Sequence, residues 1–257
     1  MAVTIKTKEE IEILREGGKR LAKILSVVTE AVGPGVNAKE LNDIAQALAT
    51  QDGDKPAFLN YIPYGATRPY PASLCVSIND EIVHGIPNEK EKILKEGDIV
   101  SLDMGLIHGG LITDSAVTIP VGKIDAKAQK LLEITKKALE AGIQAAKVSN
   151  RVGDISMAVE NAIKPYSYGI VEELAGHGVG YSVHEDPYVP NYYRGKKGVI
   201  LKSGMVIAIE PMVNEGSKEI ILDKDGYTFR TKDGSRSAHF EHTIAITNEG
   251  PVILTTN

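Results

Sequence analysis

Apolar residues at Ile11, Leu14, Leu21, Ile24, Leu25 and Val28 recur mostly at helical intervals, and that spacing predicts a helix over residues 8–32. Thr7 and Glu10 stand at the separation of a capping box, so the stretch carries its own start signal, and Gly33-Pro34-Gly35 ends it. Asn37 and Glu40 repeat the start signal and open a shorter helix reaching about Ala49. A loop rich in Gly, Pro and Tyr follows. The pattern then changes to short apolar runs, and residues 74–78, 99–103 and 112–121 read as strands. Residues 126–147 form the longest helical pattern in the middle of the chain, and Asp154 is placed to cap a helix that stops before Pro165. Short apolar runs broken by glycine, at 206–209, 219–222 and 243–247, fill the remainder.

A faint repeat runs through this pattern. Leu94-Lys-Glu-Gly-Asp-Ile-Val-Ser-Leu-Asp103 resembles Leu201-Lys-Ser-Gly-Met-Val-Ile-Ala-Ile-Glu210, and Asp114-Ser-Ala-Val-Thr-Ile resembles Glu241-His-Thr-Ile-Ala-Ile. In each pair of segments a glycine turn launches a strand that ends on a carboxylate, and a second strand begins with one. The repeat predicts a single domain over 1–257 made of two related α+β halves, roughly 1–123 and 124–257, about a pseudo-twofold. Chance likeness between β-rich segments is the competing explanation, but it must match acid with acid twice in the same order.

The acids matter because an unpaired carboxylate beside apolar strands is expensive. Taken singly, Asp103, Asp114, Glu210 and Glu241 each read most simply as a capped turn or a surface acid. A pseudo-twofold would bring all four into one cleft, where like charges raise one another's pKa or recruit cations. His177, in Gly176-His-Gly-Val-Gly, offers a nitrogen ligand. Four carboxylates and one imidazole can serve two ions roughly 3.5 Å apart, the spacing of a two-metal hydrolase. The donor set suits manganese, iron, cobalt or zinc better than magnesium and does not choose among them. His84 and His184 sit among turn-forming residues that would leave their rings reachable from a cleft. His108 and His239 carry no comparable signal, and His242 is a neighbour of Glu241.

Composition narrows the classes of function. The 257 residues carry a formal charge of −5 with acidic and basic residues interspersed, so no basic stripe marks a nucleic-acid partner. Cys75 is the only cysteine, which rules out an intrachain disulfide and fits a reducing compartment. The first ten residues are charged and lack the apolar core of a signal peptide, and no run approaches the roughly 18 apolar residues of a membrane span. A cytoplasmic protein with no membrane partner is the expectation.

Six stretches carry a resemblance: Ser77-Ile-Asn-Asp-Glu-Ile-Val-His-Gly-Ile-Pro87, residues 98–103 with Asp114, Gly176-His-Gly-Val-Gly180, His184-Glu-Asp-Pro187, Ile209-Glu-Pro-Met212 and Glu241-His-Thr243. Together they make the chain resemble the type I methionine aminopeptidases, with their α+β "pita-bread" fold, over essentially its whole length. The resemblance implies Asp103, Asp114, His177, Glu210 and Glu241 as ligands of two divalent metal ions (Co, Mn, Fe or Zn), with Glu241 bridging. It implies hydrolysis of the first peptide bond of new polypeptides when the second residue is small. Glu210 would carry a proton from water to the leaving amine, His184 would steady the carbonyl oxygen, and His84 would lie near the scissile nitrogen. Phe58, Tyr61, Tyr70, Cys75 and Tyr227 would line the methionine pocket. Phe58 replaces a cysteine common in bacterial relatives, and Tyr227 stands where tryptophan is frequent. The stretch 62–68 makes one rim loop longer than in familiar bacterial enzymes.

By the same resemblance the protein would work as a cytoplasmic monomer, transiently near the ribosome, with neither the N-terminal docking extension nor the long insertion of type II enzymes. The competing readings are a proline-specific peptidase of the same fold, a non-catalytic binding protein on that fold, and a single-metal regulatory or storage protein.

Overall fold

The structure, a computed structural model, describes residues 3–63 and 65–256. In chain order it contains α1 (Lys8–Glu30), α2 (Ala38–Gln51), β1 (Lys55–Pro56), β2 (Cys75–Ile78), β3 (Glu81–Val83), β4 (Ile99–His108) and β5 (Leu111–Pro120). There follow α3 (Ala126–Ala145), α4 (Val152–Ile163), β6 (Gly169–Ile170), β7 (Ala175–Gly178), β8 (Glu185–Pro190), β9 (Val206–Ile209) and β10 (Met212–Asn214). The last elements are β11 (Ile220–Leu222), β12 (Phe229–Thr231), β13 (Ser237–His239), β14 (Glu241–Thr247) and β15 (Gly250–Ile253).

The helices begin where side chains can replace missing backbone partners. Thr7 accepts from the Glu10 N–H while Glu10 accepts from the Thr7 N–H, and Asn37 with Glu40 closes a second box. Asp154 behaves differently from the expectation. It is the third residue of α4 rather than its cap, and its carboxylate reaches back to the Arg151 N–H at 2.7 Å. The extended Arg151 supplies the helix entry by backbone geometry alone, a signal that side-chain type does not advertise.

Nine strands form the main sheet, with a path β1-β4-β5-β14-β9-β7-β8 on which β2 adds to β4 and β15 to β14. Its centre, β4-β5-β14-β9, reads the same under exchange of the two acid-bearing pairs, and the middle contact is Glu241 opposite Ala116. Strand alternation then separates two environments. Val100, Leu102, Met104 and Leu106 of β4 pack with Leu21, Leu25 and Val28 of α1 and Leu41 and Ala45 of α2. Ile207, Ile209, Ile244 and Ile246 pack with Leu131, Leu139, Ile155 and Val159 of α3 and α4. Each such fully buried aliphatic chain contributes about 1.5–3 kcal/mol of transfer free energy, so the helix-facing parity anchors both halves of the sheet. The opposite parity is left to carry the acids.

The strands of the first half run further than the repeat suggests. β4 continues five residues past Asp103 to His108, and β5 starts three residues before Asp114. The turn falls at Gly109-Gly110, both at positive φ, so the two acids lie within a long hairpin rather than at its ends. Among the described residues no helix is long and apolar enough to cross a membrane.

Candidate metal centre and substrate cavity

Strand register brings the site together. Cys75 lies opposite Asp103, Asp103 opposite Ala116, and Ala116 opposite Glu241, so one row crosses β2, β4, β5 and β14 on the face away from the helices. Asp114 lies opposite Gly105, two positions along β4 from Asp103 on the same face. Gly105 is required there, since a Cβ would come within 2.9 Å of both Ala57 and Phe58, and its absence lets Phe58 lie against the strand. Glu210 follows β9 directly, beside the pairing of Ile209 with His242. His177 stands within β7, next but one in the sheet to β14.

These residues surround one cavity of about 570 Å³, mouth included. Asp103, Asp114, His177, Glu210 and Glu241 face it, as do Phe58, Tyr61, Tyr70, Cys75, His84, His184 and Tyr227. Asp114, His177 and Glu241 each present a ligand atom, all within 4.8 Å of one another. Glu210 Oε1 lies 3.3 Å from His177 Nε2. The His177 Nδ1 lies 2.9 Å from the Gly178 carbonyl, which can only accept, so Nδ1 carries the hydrogen and Nε2 presents a lone pair. A lone pair facing a carboxylate oxygen needs a proton or a cation between them.

The carboxylates make the same demand. Burial and the neighbouring charges hold Asp103, Glu210 and Glu241 well above the usual range, and burial lifts Asp114 to about 7. The Oδ1 atoms of Asp103 and Asp114 are buried without a hydrogen-bond partner. Four crowded acids, two of them with an unpartnered oxygen, beside a neutral imidazole with its lone pair exposed, fit a divalent cation centre. Burial, with His184 adjacent, holds His177 down to about 3, so it stays neutral and able to ligate near neutrality.

Two further histidines flank the floor. His184 lies just before β8, its ring 4.5 Å from that of His177, and its Nδ1 is 3.0 Å from the Tyr61 hydroxyl. His84 follows β3 at φ 59°, a left-handed conformation uncommon outside glycine, and Thr228 Oγ1 donates to its carbonyl at 3.4 Å. Burial brings His84 down to about 4 and also lowers His184. Neither ring needs charge to donate a hydrogen bond.

His239 was not singled out by its sequence context, yet it lies in this neighbourhood. Its Nε2 is 3.6 Å from Glu210 Oε2, both ring nitrogens are buried without partners, and burial next to His84 holds it near 3. An apolar-flanked histidine two residues before a predicted ligand was the available signal. His242 points the other way along the alternating strand, with Nδ1 2.9 Å from Thr255 Oγ1, and His108 bonds Asp54 at 2.7 Å.

The pocket walls are aromatic. Tyr70 and Tyr227 meet edge to face at 5.2 Å, and the Tyr70 hydroxyl donates to the Gly85 carbonyl at 3.0 Å. Phe58, Tyr70, Cys75 and Tyr227 are all buried, and Tyr61 is half-buried at the mouth.

The family model for metallopeptidase family M24 matches residues 12–248. The chain belongs to metallopeptidase family M24. Within it, a methionine aminopeptidase of Aquifex aeolicus is 49% identical, with 99% of each chain covered. The crystal structure of a methionine aminopeptidase from Thermotoga maritima superposes with a TM-score of 0.94 at 41% identity, covering both chains completely. The prolidase of Pyrococcus furiosus shares the fold at a TM-score of 0.78 and 27% identity, but 98% of this chain covers 65% of that one. The M24 pita-bread architecture expected from the sequence is therefore present, and full-length likeness places the chain in the methionine aminopeptidase branch.

Proposed function

We propose that this protein removes the initiator methionine from new polypeptides whose second residue is small, with two divalent ions held by Asp103, Asp114, His177, Glu210 and Glu241. The observation that carries the reading is the junction of five acid and imidazole donors, with unpartnered oxygens, and an aromatic-walled pocket in a single cavity. When bound, the ions would supply Lewis acidity toward the scissile carbonyl and lower the pKa of water at the site.

The side chains then divide the remaining work. Glu210, ionised beside the bound ions, would take the proton of the attacking water and deliver it to the leaving amine. His184, whose Nδ1 lies 3.0 Å from the Tyr61 hydroxyl, acts in the tautomer that carries its hydrogen on Nε2 and offers it to the carbonyl oxygen as charge develops. His84, fixed by its backbone, positions the scissile nitrogen. Phe58, Tyr61, Tyr70, Cys75 and Tyr227 receive the methionine side chain, where sulfur against an aromatic ring adds about 0.3–1.5 kcal/mol to burial. The protein acts as a cytoplasmic monomer, transiently near the ribosome; its lone cysteine, buried and free, suits a reducing compartment.

The proline-specific alternative is separated by substrate. Met-Ala-Ser should be cleaved efficiently, Met-Leu-Ser poorly and an Ala-Pro peptide hardly at all. Preference for the Ala-Pro peptide would replace this reading with that of a prolidase-like enzyme, and equal kcat/KM for Met-Ala and Met-Leu would remove the size rule.

A further inference from the structure

The loop that exceeds the expected length does not hang free at the mouth of the cavity. Its neck is closed by the Asn60 N–H donating to the Tyr70 carbonyl and the Tyr70 N–H donating to the Tyr61 carbonyl, both at 2.9 Å. Within it the Ala66 N–H returns to the Pro63 carbonyl at 3.0 Å, past Gly65 at φ 88°, and Pro63 itself lines the cavity. Its far end is fastened by Arg68. One nitrogen of that guanidinium donates to the Asp225 carbonyl at 2.9 Å and to Glu89 Oε2 at 3.0 Å, and the other donates to Glu89 Oε1. The Arg68 carbonyl accepts from the Tyr227 hydroxyl, and the guanidinium lies 5.5 Å over the Tyr227 ring.

Resting on the methionine-pocket reading above, we propose that Arg68, braced by Glu89, is a specificity-determining positioning residue. It clamps the 61–70 strap onto Tyr227 and so fixes the width of the pocket for the first residue's side chain. Tyr227 has few other constraints on its outer side: its N–H is held by Asp225 at 2.8 Å and its ring meets Tyr70, while the hydroxyl end is held by the strap. A ring held at both ends gives the pocket a definite depth, whereas a ring held at one end can swing and admit other shapes. The same strap carries Tyr61, whose hydroxyl meets His184. The clamp lies at the rim, with Arg68 and Glu89 each about a third exposed, so its loss leaves the metal donors in place.

The test measures kcat and KM for Met-Ala-Ser, Leu-Ala-Ser and Phe-Ala-Ser with Arg68→Ala, Glu89→Ala, the double variant and Arg68→Lys, alongside bound metal. Arg68→Ala should raise KM for the methionine peptide about three- to tenfold with kcat changed less than about twofold, the range that rim hydrogen bonds and an exposed ion pair supply. Its preference for Met over Leu should fall by a similar factor. The double variant should be no worse than Arg68→Ala, because Glu89 acts through Arg68. Arg68→Lys, which keeps the charge without the two-pronged geometry, should fall between. Parental KM and parental Met-to-Leu preference in Arg68→Ala would overturn the proposal, as would a kcat loss that tracks metal loss at unchanged KM. A parent enzyme that cleaves no N-terminal methionine fails the function itself, a result distinct from an active parent with indifferent variants.

Discussion

Four of the five donors on the cavity floor stand within strands of the main sheet, and the fifth, Glu210, directly follows one. None of His84, His184, Tyr61 and Tyr227 at the rim stands within a strand; side-chain bonds and unusual backbone hold them instead. The floor acids are fixed by the hydrogen-bonded ladder and by the helix-facing residues between them, such as Leu102 and Met104. Their arrangement survives without help from one another, and their mutual repulsion is a cost that the fold bears until a cation arrives. Rim groups carry no crowded negative charge and are held by a few contacts each. Changes at the floor should therefore act through metal, and changes at the rim through kcat, KM or specificity with metal retained.

The largest expected effect is on the floor. Glu241→Ala removes a carboxylate that the proposed centre shares between its ions and should lower bound metal below the parental stoichiometry, with activity on Met-Ala-Ser falling to background. Calorimetric titration of Mn²⁺ or Co²⁺ into the variant checks it; parental stoichiometry would place Glu241 outside the centre. Next comes His184→Ala, which should keep both metals and the fold and lose mainly kcat. Removing one well-placed oxyanion donor costs about 2.7–4 kcal/mol, or roughly 10²–10³ in rate, and bound ions would share that task in the proposed mechanism, so the lower end is expected. Reduced metal binding in this variant would make His184 a ligand and erase the division between floor and rim.

A smaller effect separates the regions by pH. Asp114, lifted to about 7 from an ordinary 3.8, and its neighbours, raised well above the usual range by burial, keep protons in the folded metal-free protein that the unfolded chain has lost. Groups raised in this way add stability at low pH and withdraw it as pH rises through the folded pKa. The buried histidines work oppositely, but only below their ordinary 6.5. Between pH 6.5 and 8 the acids therefore decide the sign: the metal-free protein should lose stability as pH rises, by up to about 1.4 kcal/mol per pH unit for each acid titrating. Denaturant melts at pH 6.5, 7.2 and 8 measure it, and a metal-free protein that gains stability over that window would contradict the crowded-acid floor.

The same division decides what could be read from sequence. The floor is carried by strand pattern and residue type together, so Asp103, Asp114, Glu210, Glu241 and His177 were visible as acids and an imidazole in apolar, glycine-punctuated contexts. The capping boxes at Thr7 and Asn37 were equally legible, because both partners lie three residues apart. The extension of β4 beyond Asp103 was not, since Met104-Gly105-Leu106-Ile107 gives no alternation to mark a strand buried on both faces. Lys6 illustrates the limit more sharply. It is a buried lysine paired at 2.7 Å with Glu185, whose other oxygen accepts from the Tyr181 and Ser182 N–H groups beside His184. Its partner lies 179 residues away, and nothing in its local sequence sets it apart from a surface lysine. Arg68 is hidden for the same reason, its contacts at Glu89, Asp225 and Tyr227 being products of the fold.

The most direct test of the metal-centred account is hydrolysis of Met-Ala-Ser by protein stripped of metal, then titrated with Mn²⁺, Fe²⁺ or Co²⁺ while bound metal is counted. The account predicts no turnover at the start and activity that rises in step with occupancy, while Asp103→Asn carried through the same titration stays inactive. Parental turnover by protein that elemental analysis shows to be free of transition metal would contradict it.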